Sequence, residues 1–85
     1  MVAVYADLRD RIFNYLRGKA ERCRSPTVEF RPRRLRLPIP DRMVVYWLVR
    51  EELAPALVYE WRHGSRRYST FIFDREKLLK LLGGG

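Results

Sequence analysis

Cysteine is nearly absent from this chain, and long apolar runs are absent altogether. Cys23 is alone among 85 residues, so no disulfide can close within the chain, and a reducing compartment is expected. No apolar stretch approaches the roughly 20 residues that cross a bilayer. The first twenty residues mix acids and bases throughout, which a signal peptide does not. A cytoplasmic location without a membrane partner is the expectation. Gln is missing and Asn occurs once, at Asn14; with so many charged residues, that scarcity hints at a thermophile.

Catalytic signatures are missing too. There is no glycine-rich phosphate loop and no metal-ligand spacing. His63 is the sole histidine and has no cysteine near it. Glu51 and Glu52 are adjacent, so they project in different directions and cannot work as an acid–base pair. Cys23, between Arg22 and Arg24, has no evident base beside it, and a thiol nucleophile needs one. A chain this short has little core to spare for a deep cavity. Enzymatic activity, a cofactor or a metal is not expected.

What the chain has in excess is positive charge. Eighteen basic residues against ten acidic ones give a net charge of +8, and fifteen of the eighteen are Arg. Such a balance speaks of partners rather than of fold. Arg carries a planar fork that matches phosphate and stacks on bases, so nucleic acid is the expected partner, with anionic membrane surfaces and acidic proteins as competitors. The 47% apolar and 13% aromatic content argues against disorder. Residues 1–85 form one domain, with 83–85 as a flexible tail.

Along the chain, residues 3–23 carry Tyr5, Leu8, Ile12, Tyr15 and Leu16 at spacings of three and four, which predicts an amphipathic helix. Ser25-Pro26 breaks it, and Thr27 to Phe30 alternates like a short strand. Three prolines between Arg31 and Pro40 forbid a long element; Leu35 and Leu37 anchor a short turn or an extended arm. The segment from Asp41 to Leu53 fits a helix by length and by the Pro55 stop, although its Val, Tyr and Trp also suit a strand. Asp74 is placed to cap a last helix, Arg75 to Leu82.

Ala56 to Asp74 reads as a β-hairpin about Gly64-Ser65. Arg62 then faces Arg67, Trp61 faces Tyr68, Tyr59 faces Thr70 and Leu57 faces Ile72. Alternation sorts Leu57, Tyr59, Trp61, Tyr68, Thr70 and Ile72 onto one face, expected to be the core. Val58 and Phe71 fall on the other face and form a candidate contact patch. The tip carries Arg62, His63, Arg66 and Arg67, a cluster suited to phosphates.

The order helix, strand, proline-interrupted turn, helix, hairpin resembles the winged-helix variant of the helix-turn-helix fold. Leu53, Leu57-Val58 and the run Arg62-His63-Gly64-Ser65-Arg66-Arg67-Tyr68 are similar to the text that opens and crosses the wing in that family. Small archaeal winged-helix proteins look most similar in size and composition. The resemblance implies an α+β fold of helix, short strand, short turn or helix, helix, β-hairpin wing and short C-terminal helix. It further implies a nucleoid-associated regulator or chromatin-like protein that binds double-stranded DNA. Arg62, His63, Arg66 and Arg67 of the wing, with Arg31, Arg33, Arg34, Arg36 and Arg42, are the expected contacts. Two departures stand out. Pro32 and Pro38 shorten the second helix, and the reading helix, Asp41 to Leu53, carries only Arg42 and Arg50 as bases. RNA binding through exposed aromatics is the alternative, and a protein-interaction module is a third reading. A homodimer through helix 3–23 or the Val58/Phe71 patch is compatible with the spacing.

Overall fold

A computed structural model of the chain describes residues 2–63 and 69–83, with side chains from Tyr5 onward. The expected turn at Gly64-Ser65, together with Arg66, Arg67, Tyr68 and the end of the expected tail, lies outside the described residues. Among those described, the fold is α+β, with helices α1 (Val2–Arg22), α2 (Ile39–Glu51) and α3 (Arg75–Leu81) and strands β1 (Thr27–Phe30), β2 (Leu57–Arg62) and β3 (Ser69–Asp74). The strands form an antiparallel sheet in the order β1-β3-β2. No helix is long and apolar enough to cross a membrane, among the described residues.

α1 forms because Leu8, Ile12, Leu16 and Ala20 recur every four residues and all are buried. That places one stripe on the core and leaves Ala6, Asp7, Asp10, Arg11 and Asn14 exposed. The stripe that was a possible dimer seam therefore faces the chain's own interior. The helix continues through Gly18 and ends at Arg22. At its end the Ala20 carbonyl accepts from the Cys23 N–H at 3.2 Å and from Arg75 Nε at 2.8 Å, so an orphan helix carbonyl is satisfied by a cation. Arg17 Nη2 does the same for the Leu82 carbonyl after α3, at 2.6 Å. Asp74 caps α3 as expected, its carboxylate accepting from the Lys77 N–H at 2.9 Å.

The segment expected at Asp41 to Leu53 is a helix, not a strand, but it runs Ile39–Glu51, beginning two residues before Asp41 and ending two before Leu53. Val45, Leu48 and Val49 are buried on one side. Ile39, Met43 and Trp47, four residues apart, are 68%, 67% and 51% exposed. This resolves the all-round apolar pattern: half of it is core and half is surface.

The hairpin differs from expectation in two ways. Its register is Arg62↔Ser69, Trp61↔Thr70 and Tyr59↔Ile72, two residues further along β3 than a turn at Gly64-Ser65 dictates. Its faces are also exchanged at Tyr59, Trp61, Phe71 and Phe73, although Thr70 is buried as expected. Phe71 and Phe73 are fully buried, while Tyr59 and Trp61 are 57% and 54% exposed. The cause is β1, which pairs Val28 with Phe73 and Phe30 with Phe71. Those four residues build a continuous apolar surface against the helices, with Phe71 stacked between Phe30 and Phe73 at 6.4 and 6.5 Å. A face of three Phe and a Val excludes more apolar area from water than one built on Tyr59 and Trp61, whose polar ends lose hydration on burial. A bulge between Leu57 and Tyr59 breaks the alternation, so Leu57 packs on the core with Phe73 while Tyr59 turns outward. With Phe71 buried, the Val58/Phe71 patch does not exist as a dimer surface. Val58 alone remains exposed, at 61%.

Candidate nucleic-acid interface

The segment after β1 folds by sorting its residues. Pro32 opens a 3-10 turn, Pro32–Leu35, where its missing N–H costs nothing, and its ring is fully buried. Leu35 and Leu37 pack against the core. Between these anchors Arg33, Arg34 and Arg36 are exposed. The turn is closed by the Arg34 N–H on the Arg31 carbonyl at 3.0 Å and the Arg36 N–H on the Arg33 carbonyl at 3.3 Å. Arg36 ends it in the left-handed region, φ 53° and ψ 42°. For a residue with a Cβ that conformation costs roughly 1–2 kcal/mol, and it is held here by the leucines on either side.

β1 pairs antiparallel with β3, Phe30 opposite Phe71, so this turn sits next to the end of the two hairpin strands near His63 and Ser69. Arg31, Arg33, Arg34 and Arg36 line one concavity with His63, Ser69 and Thr70, of about 550 Å³. Within it, His63 Nε2 is 2.7 Å from Thr70 Oγ1, and the imidazole lies over Trp61 with ring centroids 4.7 Å apart. Arg31 Nε lies 2.7 Å from Glu29 Oε1, an ion pair whose N–H is not aligned for a hydrogen bond. Arg34 and Arg36 make no side-chain hydrogen bond or ion pair among the described residues. Lys19, on α1, feels the same field. Burial lowers its pKa first, Glu29 opposes, and the charges of Arg34 and Arg31 lower it further.

Five of the nine expected contact residues therefore meet: Arg31, Arg33, Arg34, Arg36 and His63. Arg42 does not join them. It turns back to the Leu37 carbonyl at 3.4 Å, with its Nε buried. Arg62 is 75% exposed and 3.4 Å from Glu60 Oε2, outside the concavity. Arg66 and Arg67 lie outside the described residues. Ser69, Thr70 and Lys19 were missed. The first two follow only from the β1–β3 pairing, and its signal was present in the matched alternation of Val28/Phe30 with Phe71/Phe73.

Other arginines serve the fold. Arg9 pairs with Glu52 at 3.1 Å and lies over the Phe13 ring at 4.2 Å. Arg50 holds Glu60 with two bonds of 3.1 and 2.7 Å. Glu60 also accepts from Ser69 at 2.8 Å, so one carboxylate ties α2, β2 and β3 together beside the concavity. The Arg50 hydrogen bonds, with help from Ser69 and Arg62 and against the opposing effect of burial, hold its pKa at about 2. Among the described residues no cluster of His, Cys, Asp and Glu could hold a metal ion.

Compared with protein-family models, curated proteins and solved structures, the chain matches none.

Proposed function

We propose that this protein binds nucleic acid through backbone phosphates seated in the concavity of Arg31, Arg33, Arg34 and Arg36. The observation that carries the reading is the convergence of those four guanidiniums with His63, Ser69 and Thr70 on one open surface. Guanidinium forks donate in pairs to phosphate oxygens, and the two hydroxyls and the imidazole add neutral polar contacts. Arg34 and Arg36 make no side-chain hydrogen bond or ion pair among the described residues, so their charge is available to a ligand, while Arg31 shares its own with Glu29.

Duplex DNA is the partner that the winged-helix-like layout favours. The order α1, β1, turn, α2, β2, β3 and the strand order β1-β3-β2 support that reading, with the hairpin as the wing and the 3-10 turn in place of the second helix. A winged-helix reader places polar side chains of its recognition helix on base edges. Here the exposed stripe of α2 is Ile39, Met43 and Trp47, whose one hydrogen-bonding group is the Trp47 indole N–H. Binding to phosphates with little sequence preference follows.

The test holds net charge constant and moves its place. The R34E/R36E pair and the R11E/R22E pair change the charge equally; all four side chains are exposed, and only the first pair lies in the concavity. With a fluorescent duplex at fixed low salt, R34E/R36E is expected to weaken binding by about tenfold or more, and R11E/R22E much less. Equal losses would reduce the effect to overall charge and reject the site.

A further inference from the structure

The outer face of the sheet carries a second feature beside the concavity. Tyr59 and Trp61 stand on this face two residues apart, 57% and 54% exposed. Opposite them in the register lie Ile72 and Thr70, and β2 is an edge strand. Successive same-face positions on a strand are about 7 Å apart, far enough for each ring to take its own planar partner. His63 joins the two features: it lines the concavity, bonds Thr70 and lies over Trp61. A polymer whose phosphates occupy the arginines thus has aromatic surface within one residue of its path.

Two large aromatics left half in water on a chain of net charge +8 call for a partner that is both flat and anionic. We infer that this face stacks unpaired nucleobases, and that the protein holds single-stranded nucleic acid, phosphates among Arg31, Arg33, Arg34 and Arg36 and bases on Tyr59 and Trp61. Base-paired DNA cannot use the shelf, because its bases already stack on each other. The inference rests on the phosphate-binding reading above and adds single strands to duplex DNA as ligands of the same phosphate site. Base–aromatic stacking tolerates any base, since every base has a π face. That agrees with an interface built from guanidiniums and rings rather than from amides.

The chain has two tryptophans, so W47F leaves Trp61 as the single indole reporter. In that background, oligothymidylate and oligouridylate are compared with a duplex of equal phosphate number at one ionic strength. The expected result is quenching of Trp61 emission by the single strands and not by the duplex. W61A and, independently, Y59A should each weaken single-strand binding by about fivefold to a hundredfold and leave duplex affinity within about twofold. Single-strand binding with Trp61 emission unmoved, or equal quenching by duplex, overturns the shelf and leaves the phosphate site standing. No retention of any nucleic acid at low salt overturns both. A dimer seen by sedimentation that W61A dissociates, with oligonucleotide binding unchanged, assigns the face to a second copy instead.

Discussion

Glu60 and Arg36 concentrate the energetics of this surface at the scale of single residues. Glu60 is held at about 2 chiefly by Arg50, below the ordinary glutamate value. A group with a depressed folded pKa contributes stability above its unfolded pKa and loses it as pH falls through the folded one. Glu60 therefore stabilises the fold fully above about pH 4.5 and stops doing so toward pH 2. Because Arg50 is 42% exposed, solvent screening reduces the contribution to about 1–2 kcal/mol. Thermal melts of E60Q should show a lower Tm than wild type at pH 7, with the difference closing below about pH 3. A difference independent of pH would remove the ion pair from the account. Arg36 offers the opposite test. R36G relieves the left-handed backbone, gaining roughly 1–2 kcal/mol, against roughly 0.4–1 kcal/mol of added freedom in the unfolded chain. Denaturant melts should show stability unchanged or raised by up to about 1.5 kcal/mol while nucleic-acid affinity falls. A clear loss of stability would show that the Arg36 side chain serves the fold.

The elements were legible where one period dominated and were misread where two competed. α1, β1, α2 and α3 follow from four-residue spacing, alternation, proline and the Asp74 cap, all local features. The hairpin was found, but its faces were not. Leu57, Tyr59 and Trp61 alternate as a core face would, and no local rule says that a bulge at Val58 turns Leu57 away from them. The deciding fact is non-local: β1 lies 40 residues away and presents Val28 and Phe30 to β3. The candidate site shared this fate. Its arginines were visible as a run, whereas their meeting with His63, Ser69 and Thr70 depends on the same pairing. Face assignment has a direct check. F71A should cost about 3–5 kcal/mol in denaturant melts, and V58A should stay within about 0.5 kcal/mol. Comparable small effects at both positions would contradict the exchanged hairpin faces.

For the whole molecule, 85 residues divide the work of charge by position. Arg9, Arg17, Arg50 and Arg75 pair with carboxylates or helix carbonyls and hold the helices and sheet together. Arg31, Arg33, Arg34 and Arg36 gather at one surface. The α1 stripe, β1, β3, α2 and α3 share one core, so the concavity is carried on a body that small changes at its rim do not unfold. The proposed phosphate binding predicts a binding free energy that is mostly electrostatic and comes from counterion release, which makes salt the natural variable. The most direct measurement is the affinity for a short DNA duplex titrated across salt concentrations, for wild type and for R34Q/R36Q. Four engaged phosphates predict a slope of about −3 to −4 in log K against log salt for wild type, and a slope about 2 units shallower for the double variant. A wild-type slope near zero, or one the double variant leaves unchanged, would contradict a phosphate-binding surface at these arginines.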